Sequence, residues 1–534
     1  MIIGKKYNKA NLKEFYDSII IGSGLGGLTT AAFLAKNGQR VLVLERHYTA
    51  GGFTHVYKRA GFEWDVGLHY IGKVHDPKSP LRLIFDEITD GKLDWKKMGP
   101  VYDNIIIGDE EFSFVEGLSN FKSKMIEYFP KEKSAINEYI SLVKKVNSSS
   151  RSYFMKKALP KWLRFLLSPF MGRTFLKYAK KTTKEVLNEL TNNEKLIGVL
   201  TGQWGDYGLP PGRSPFSIHA MISNHYFDGG NYPIGGGSKI AETIVSVIEK
   251  NGGEVITNAP VKEILVEKER VQGVLLENGV KIFSDRVISN AGIKNTYHLL
   301  PPHCVKKEGL KSVLTELKSS MGHYCLYIGL EGNTEELQLK TTNQWIYKSE
   351  FHDENIDSFL EKPVGEFPLV YISFPSAKDP SWDKRYPGKS TIEMITLSDY
   401  DWFSKWEGTD WHKRGDDYNS LKEEVSQRLL NVLFKKFPNL KKKVTFYELS
   451  TPLSTKHFSN YQKGELYGLD HTFSRFQSDI STRGPVKNLF LTGQDVVTCG
   501  IGGVLMAGAL TSISVLGYLK SRDIIKLMMP KKKR

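Results

Sequence analysis

The feature that most constrains this sequence is a glycine-rich turn near its start, between an apolar strand and a helix. Residues Asp17 to Ile21 form the predicted strand, and the helix is predicted from about Leu28 to Asn37. The turn between them has the spacing GxGxxG, in the order Gly22, Ser23, Gly24, Leu25, Gly26, Gly27. The first glycine allows the tight turn, the second lets a pyrophosphate approach the backbone, and the third lets helix and strand pack closely. The helix N-terminus adds amide donors and a positive dipole, so we predict a dinucleotide site in a Rossmann-type α/β domain.

A second apolar strand, Arg40 to Leu44, ends at Glu45, and this acid lies 18 residues beyond Gly27. At that place the fold delivers a carboxylate to the ribose hydroxyls. A GxGxxG spacing alone would be weak evidence, but strand, turn, helix, strand and acid in this order predict nucleotide binding. The acid also disfavours a 2′-phosphorylated nucleotide at this site.

Residues at both ends of the chain indicate which dinucleotide binds. Glu45 and Arg46, followed by a pair of glycines, resemble the extended fingerprint of FAD-binding flavoproteins. Near the other end, the strand-like run from Leu489 leads into Gly493 and Asp495, which resembles the second flavoprotein motif, whose acid bonds the ribityl chain. FAD is therefore the predicted cofactor. The predicted FAD-binding residues are Gly22, Ser23, Gly24, Leu25, Gly26, Gly27, Glu45, Arg46, Gly51, Gly52, Thr54, Val261, Gly493, Asp495, Gly502 and Gly503.

These motifs divide the cofactor domain into three pieces. Tyr232 to Gly237 precedes a helical pattern, and four short strands with turn residues follow, the last from Lys281 to Ser289. We predict FAD-binding pieces at residues 1–75, 221–300 and 451–534. The other two regions form a substrate domain, with a helical, membrane-contacting part at 76–220 and a sheet at 301–450.

The composition excludes several protein classes. The chain has 534 residues, of which 40% are hydrophobic and 25% charged, so collagen, low-complexity disorder and a polytopic membrane bundle are excluded. Cys304, Cys325 and Cys499 fit neither a disulfide framework nor a metal site, which favours a reducing compartment. The first 15 residues lack the apolar core of an export signal. Val496 to Leu519 has no formal charge, but its glycines and its place after a strand favour a core helix over a membrane span.

With these motifs the chain resembles the retinol saturase and carotenoid isomerase branch of the phytoene desaturase flavoproteins over nearly its full length. The matching stretches are GSGLGG from Gly22, AGGFTH ending at His55, GFEWDVGLHYIG from Gly61, YPIGGGSKIAE from Tyr232 and LFLTGQDVVTCGIGG from Leu489. The resemblance implies a discontinuous FAD domain of the amine-oxidase type, an α+β substrate domain and conjugated isoprenoid substrates. Animal saturases carry an N-terminal signal segment that is not found here, so we expect no lumenal address, and retinol itself need not be the substrate.

Residues 151–181 interleave basic side chains with aromatic and leucine side chains and contain no acid. Pro160 and Pro169 divide the stretch into pieces too short to cross a bilayer, and such pieces suit a membrane interface. A basic helix packed on the core is the alternative. We therefore attribute most of the formal net charge of +15 to a membrane-docking surface and expect no nucleic-acid partner. The expected location is peripheral, on the cytoplasmic side of a membrane, with Lys520 to Arg534 as a second basic anchor or a tail.

The predicted activity is the reduction of a carbon–carbon double bond in a conjugated isoprenoid such as a retinoid or carotenoid. Reduced flavin gives a hydride, so the protein must orient the polyene and place a proton donor. His69 and Tyr70 are the candidate catalytic residues, with His55 and Tyr232 behind them. A carotenoid cis–trans isomerase or desaturase, and a non-catalytic prenyl-lipid-binding protein, are the alternatives. Because the sequence carries one dinucleotide fingerprint, NAD(P)H would reduce the flavin at a transient site.

Overall fold

The protein is described here by a computed structural model that covers residues 2–8, 12–168, 170–305 and 315–529. The strands are β1 (Lys5–Lys6), β2 (Phe15–Tyr16), β3 (Ser18–Ile21), β4 (Val41–Leu44), β5 (Val56–Arg59), β6 (Phe62–Asp65), β7 (Trp95–Lys97), β8 (Val101–Ile107), β9 (Glu110–Val115), β10 (Asn231–Pro233), β11 (Glu254–Thr257), β12 (Val261–Glu267), β13 (Arg270–Leu276), β14 (Lys281–Ser284), β15 (Val287–Ser289), β16 (Gly322–Glu331), β17 (Asn343–Tyr347), β18 (Leu369–Ser373), β19 (Lys389–Ser398), β20 (Val444–Ser450) and β21 (Leu489–Leu491). The α-helices are α1 (Leu25–Lys36), α2 (Pro80–Ile88), α3 (Leu118–Tyr128), α4 (Lys133–Met155), α5 (Lys161–Leu167), α6 (Arg173–Ala179), α7 (Thr183–Asn188), α8 (Glu194–Leu200), α9 (Phe216–Tyr226), α10 (Ser238–Lys250), α11 (Ile293–His298), α12 (Pro302–Val305), α13 (His352–Glu361), α14 (Pro375–Lys378), α15 (Trp382–Arg385), α16 (Asp416–Lys436), α17 (Pro452–Ser459), α18 (Phe473–Gln477), α19 (Gly500–Lys520) and α20 (Arg522–Leu527).

A six-stranded sheet in the order β1-β11-β4-β3-β15-β21 forms the centre of the cofactor domain. Every neighbouring pair in it is parallel. The apolar strands β3 and β4 are buried along their whole length, as expected for a parallel sheet that is covered on both faces. Its strands come from residues 5–44, 254–289 and 489–491, so distant parts of the chain meet at one edge of the sheet.

Helices α1 and α19 pack against each other next to this sheet. Gly508 allows the close approach, because a Cβ added there would lie 2.6 Å from Cβ of Thr29. By length and composition α19 could cross a membrane, and it is the one described helix of which this is true. Half of its most apolar window is nevertheless buried, and Ala507 to Ser514 lie in the core of the cofactor domain. Packing in that core accounts for the apolar side chains of the buried half of the helix.

A seven-stranded sheet in the order β20-β16-β19-β18-β17-β8-β9 lies in the two regions that were predicted to form the substrate domain. Its pairs are antiparallel except for β17 and β8. Alternate residues of β16 face opposite sides: Leu326 and Ile328 belong to a hydrophobic cluster that includes Leu429 of α16, whereas Cys325 and Tyr327 belong to another. The two faces of this sheet therefore pack against different parts of the protein.

The structure differs from the sequence predictions in two strand assignments. The strand predicted from Lys281 to Ser289 is split, because β14 pairs with β13 and β2, whereas β15 joins the six-stranded sheet. The region 76–220, predicted as helical, also supplies β8 and β9 to the substrate sheet. Both strands bury apolar side chains, such as Ile105 and Phe114. The prediction of helices for this region did not account for these residues.

The basic and aromatic stretch 151–181 is partly core. Lys156, Lys157 and Phe175 are buried, and Nζ of Lys157 donates a hydrogen bond to the carbonyl of Ile480 (2.9 Å). Burial lowers the pKa of Lys157 to about 7. The basic side chains of this stretch are therefore not all available to a membrane. Pro169 and residues 530–534 of the predicted basic tail lie outside the described residues.

We expect Gly508→Leu to destabilise the protein by about 1–3 kcal/mol, because the added side chain must fit where α1 and α19 touch. Urea unfolding of the FAD-loaded protein, followed by circular dichroism, measures this change. Met506→Leu, a volume-conserving change on the same helix, is the control and should cost less than about 1.5 kcal/mol. Equal unfolding midpoints for Gly508→Leu and the wild type would contradict the packing described.

Candidate active site

A cavity of about 490 Å³ lies between the cofactor sheet and the substrate sheet. On the cofactor side its wall consists of residues that follow the carboxyl ends of parallel strands: Gly22 after β3, Glu45 after β4, Asn290 after β15 and Gly493 after β21. Ligands of open parallel sheets bind at this edge. The fold therefore brings the predicted nucleotide motifs from three parts of the chain to one surface.

The N-terminus of α1 opens into this cavity. Its first residues, Leu25 and Gly26, line the wall, and Gly24 caps the helix without a side-chain hydrogen bond. Such a terminus leaves amide donors for an anionic group. The glycines are required by close contacts, since a Cβ on Gly24 would lie 2.7 Å from Nδ2 of Asn290 and one on Gly26 would lie 3.0 Å from Cα of Gly493. The wall has the shape of a pyrophosphate site.

Glu45 is held by the chain itself. Its Oε2 accepts hydrogen bonds from the amide (2.9 Å) and the hydroxyl (2.7 Å) of Ser23, and its Oε1 accepts one from the amide of His47 (2.8 Å). These donors fix the carboxylate at the cavity wall, where a ribose hydroxyl can still reach it. Arg46 also lines the cavity and donates to the carbonyl of His457 (2.8 Å).

Buried polar atoms on the same wall fit a bound nucleotide. In the described part of the chain, Oγ1 of Thr492 and Nε2 of His47 have no hydrogen-bond partner, although both residues line the cavity. Buried polar groups normally have partners, so a ligand with polar atoms suits this wall. The amides of α1, Glu45 and these two atoms together fit the ribose and pyrophosphate of FAD.

The predicted FAD-binding residues divide into two groups. Those on the cavity wall are Gly22, Gly24, Leu25, Gly26, Glu45, Arg46, Gly51, Gly52, Thr54, Val261 and Gly493. Ser23 and Gly27 lie behind the wall, where Ser23 holds Glu45 and Gly27 packs against the carbonyl of Gly22.

The structure also places Asp495, Gly502 and Gly503 away from the wall. Asp495 accepts hydrogen bonds from the amides of Ile293 (2.8 Å) and Leu469 (2.9 Å), so it joins two loops. Because α19 begins at Gly500, one face of the helix carries Gly500, Ile501 and Val504 to the cavity, and Gly502 faces Leu81 and His225 instead. Gly503 is packed against the carbonyl of Thr498. The glycine of this helix that lines the cavity is thus Gly500.

Neither predicted catalytic residue lies on the cavity wall. The imidazole of His69 forms a hydrogen bond from Nδ1 to Oε2 of Glu393 (2.8 Å), and burial lowers its pKa to about 4. The hydroxyl of Tyr70 lies 2.9 Å from Oδ2 of both Asp103 and Asp206, and its ring stacks on Tyr226. Both residues therefore belong to a buried polar layer behind the cavity.

The two residues placed behind them in the sequence interpretation are separated. His55 lines the cavity, with Nδ1 2.6 Å from the carbonyl of Gly52, and burial lowers its pKa to about 4. Tyr232 is buried and donates its hydroxyl proton to Asp65.

Sequence reasoning missed the residues that the substrate sheet brings to the cavity. His323 and Tyr327, four positions apart on β16, line it together with Tyr467. His323 is buried, and its Nδ1 has no hydrogen-bond partner among the residues described. Burial and the charge of His69 lower its pKa to about 4. His323 and Tyr327 are an even number of positions apart, so on a strand they share a face, and this spacing was the available signal. The sequence does not say which face of that strand meets the cofactor.

Comparisons with known proteins agree with this geometry. The family model of flavin containing amine oxidoreductases matches residues 25–515. The chain belongs to this family. An all-trans-retinol 13,14-reductase of Danio rerio is 37% identical over 96% of this chain and 88% of its own length, and the prolycopene isomerase of Arabidopsis thaliana is 27% identical over 85% and 74%. The structure of a putrescine oxidase covers 96% of this chain and 99% of its own at a TM-score of 0.63 and 15% identity, which shows the shared fold.

These findings confirm the predicted family, fold class and cofactor. The chain is an FAD-dependent oxidoreductase with a Rossmann-type cofactor domain. The alternative of a non-catalytic prenyl-lipid-binding protein is set aside. In the described residues, no group of three or more His, Cys, Asp or Glu is placed to hold a metal ion, and the three cysteines are buried and form no disulfide.

We expect Glu45→Ala to bind FAD at least about tenfold more weakly, since a charge-assisted hydrogen bond contributes about 1.5–3 kcal/mol. The ratio of flavin to protein absorbance after gel filtration measures the loss. Glu267→Ala, at the exposed end of β12, is the matched control and should retain wild-type flavin content. A fully loaded Glu45→Ala protein would contradict the role given to this carboxylate.

Proposed function

We propose that this flavoenzyme reduces a carbon–carbon double bond of a conjugated isoprenoid, such as a retinoid or carotenoid. The observation that carries the proposal is a cavity whose lining includes both the FAD cradle and aromatic and imidazole side chains from the substrate sheet. The near full-length similarity to an all-trans-retinol 13,14-reductase supports the same reaction.

The walls of the cavity fit a long, flat and mostly apolar molecule. Tyr57, Tyr327 and Tyr467 supply aromatic surface, and the ring centroids of Tyr57 and Tyr327 are 5.3 Å apart. The lining also includes polar groups, among them Lys422 and Glu448. The hydroxyl of Tyr57 donates to Glu448, which also pairs with Arg59. An apolar chain with one polar end suits this arrangement.

The reaction needs a hydride and a proton on adjacent carbons, and bound FAD supplies the hydride once it is reduced. The chain must hold the polyene against the flavin, exclude water and deliver the proton. The turn Gly51–Thr54 and the start of α19 approach the flavin side, while His323 and Tyr467 lie on the substrate side. His323 is the one imidazole of the described substrate-sheet strands on this wall, so we assign it the contact with the reacting carbon. His69 and Tyr70 act from behind it.

A cis–trans isomerase is the second candidate function, and the similarity to a prolycopene isomerase favours it. Adding a proton to a polyene spreads a cation along the chain, and removing the same proton after a bond rotation leaves an isomer. The same site would thus isomerise without net redox change. Transfer of a hydride to the cation distinguishes the reductase.

We expect the purified protein to be yellow and, after anaerobic reduction with dithionite, to convert a retinoid or carotenoid to a product two hydrogens heavier. The product should absorb at shorter wavelength because conjugation is interrupted. Mass spectrometry of the extracted product separates the outcomes: an unchanged mass with changed retention identifies an isomerase, and a loss of two hydrogens identifies a desaturase. Unchanged mass, spectrum and retention for every retinoid and carotenoid tested would contradict both candidate functions.

We also propose that the protein draws its substrate from a membrane surface through α5 and the residues around it. Trp162 is 69% and Phe165 84% exposed, and Leu166 and Phe170 are also exposed. Lys161, Arg173 and Lys177 are exposed nearby. The end of α19 belongs to the same side, since Ser514 Oγ donates to the carbonyl of Ala158 (3.1 Å) and exposed Tyr518 and Leu519 follow. Apolar side chains within basic ones suit an anionic lipid surface.

The double variant Trp162→Ser, Phe165→Ser should lose most of its binding to vesicles that contain anionic lipid, since both rings leave the interface. Co-sedimentation measures the bound fraction. Phe351→Ser removes an exposed aromatic ring elsewhere and should bind as the wild type does. Equal sedimentation of the double variant and the wild type would contradict docking through α5.

A further inference from the structure

Behind the cavity lies a layer of buried carboxyl groups that the proposed function does not explain. Asp65, Glu393 and Asp103 are at most 1% exposed. The amide of Asp65 donates to Oε1 of Glu393 (2.6 Å), and Oε2 of the same carboxyl bonds His69 (2.8 Å). Asp65 also accepts from the amide of Gly237 (3.0 Å). Every oxygen of the Asp65 and Glu393 carboxyls is thus joined to a neighbour inside the protein.

A second pair of carboxyls continues the layer. Asp103 accepts from Nδ2 of Asn343 (2.8 Å) and from Nε2 of Gln203 (2.7 Å). The hydroxyl of Tyr70 lies 2.9 Å from both Asp103 and Asp206, yet a phenol has one proton to donate. One of these two acids must therefore carry a proton of its own. Burial raises the pKa of both acids.

Lys378 connects the two pairs and is the one buried ammonium of the described layer. Its Nζ donates to the carbonyl of His69 (2.8 Å), to Oδ1 of Asn343 (2.5 Å) and to Oγ of Ser373 (2.7 Å). A single cation cannot balance the carboxylates around it, and an unpaired buried carboxylate is costly. Burial raises the pKa values of Asp65 and Glu393 to about 8, so protons are stored here near neutral pH.

The layer reaches the cavity through two imidazoles. His69 bonds Glu393 with Nδ1, and the loop before it, Val66 and Gly67, lines the cavity. His323 lines the cavity as well and is close enough to His69 for the charge of His69 to lower its pKa. Its buried Nδ1 has no partner among the described residues, so that nitrogen is open to a proton.

We propose that Glu393, with Asp65 beside it, stores the proton that is added to the substrate, and that His69 and His323 pass it to the cavity. His69 takes the proton at Nδ1 from Glu393 and releases it from its other nitrogen towards His323, which gives it to the polyene. One π bond is replaced by two C–H bonds, one made with this proton and the other with the hydride that reduced FAD, itself oxidised in the step, would supply. The polyene gains the two electrons of that hydride, and Glu393 regains its proton from solvent.

This inference rests on the proposed function, because double-bond reduction consumes one proton in each turnover. The titratable groups that face the Asp65, Glu393 and His69 cluster from the elements packed against it are Glu63, Tyr232, His323, Cys325, Tyr327, Lys378, Asp103 and Tyr371. Lys378 favours the ionised form of Glu393, and burial opposes it more strongly. His69 and His323 are positioned to transfer protons and not to hold them, since both are neutral at pH 7.

The transfer is tested with His69→Asn, because an asparagine amide keeps a group near Nδ1 that can bond Glu393 but cannot relay a proton. In anaerobic single turnover with a conjugated polyene, we expect reduction about 100-fold slower than in the wild type. Electron transfer from the reduced protein to ferricyanide, which takes no proton, should be unaffected. His412→Asn, an exposed histidine, is the control. A His69→Asn variant that reduces the polyene at the wild-type rate would overturn the relay.

The proton store is tested by pH and by infrared spectroscopy. Glu393 holds its proton below a pKa of about 8 and loses it above, so the wild-type reduction rate should fall as pH rises through 8, and Glu393→Gln should lose this dependence. In the substrate-free protein, protonated-carboxyl absorption should disappear over the same range, and in Glu393→Gln the band of Glu393 should be missing while that of Asp65 remains. A Glu393 band that titrates near pH 4 overturns the store. If the wild type reduces no polyene but this band behaves as expected, the proposed function is wrong and the store stands.

Discussion

The close approach of backbone at the carboxyl edge of the parallel sheet is the contact on which the rest of the structure depends. Asn290 lies at its centre, within reach of Gly24, Gly26 and Gly493, and a Cβ on any of these glycines would come within 3.0 Å of its side chain. Three distant parts of the chain are joined there, and the cavity exists because none of them carries a side chain into it. In the sequence, the strands of the seven-stranded sheet lie between these three parts. That sheet is therefore held against the same cavity.

Local patterns predicted the cofactor side, because each motif there is complete within a few residues. The turn Gly22–Gly27 and the acid Glu45 needed only their own strand and helix to be placed, and both lie where the sequence predicted relative to β3, α1 and β4. It was harder to predict which residues of a helix point into the cavity. The glycine pair Gly502 and Gly503 misses the cavity because α19 starts at Gly500, and a shift of two residues turns a helical side chain by about 200°.

The substrate side could not be predicted from the sequence, because its residues are positioned by pairing between remote strands. His323 lines the cavity only because β16 pairs with β19 and β20 in one register, and a slip of one residue would send it to the α16 side. The same holds for His69, whose partner Glu393 lies more than 300 residues away in β19. Composition does not predict which basic residues of the stretch 151–181 are exposed, since Lys156 and Lys157 are buried in the fold.

The buried acids indicate that the layer behind the cavity serves a reaction and does not stabilise the fold. Moving a carboxylate out of water costs several kcal/mol even when it is paired, and apolar residues of similar size would pack the same space at lower cost. The other buried side chains of strand β19 are uncharged, yet Glu393 stands in its middle with no exposed surface. A neutral acid avoids most of that cost while it keeps its proton. Burial therefore favours the form of Glu393 that can donate a proton, although Lys378 opposes it.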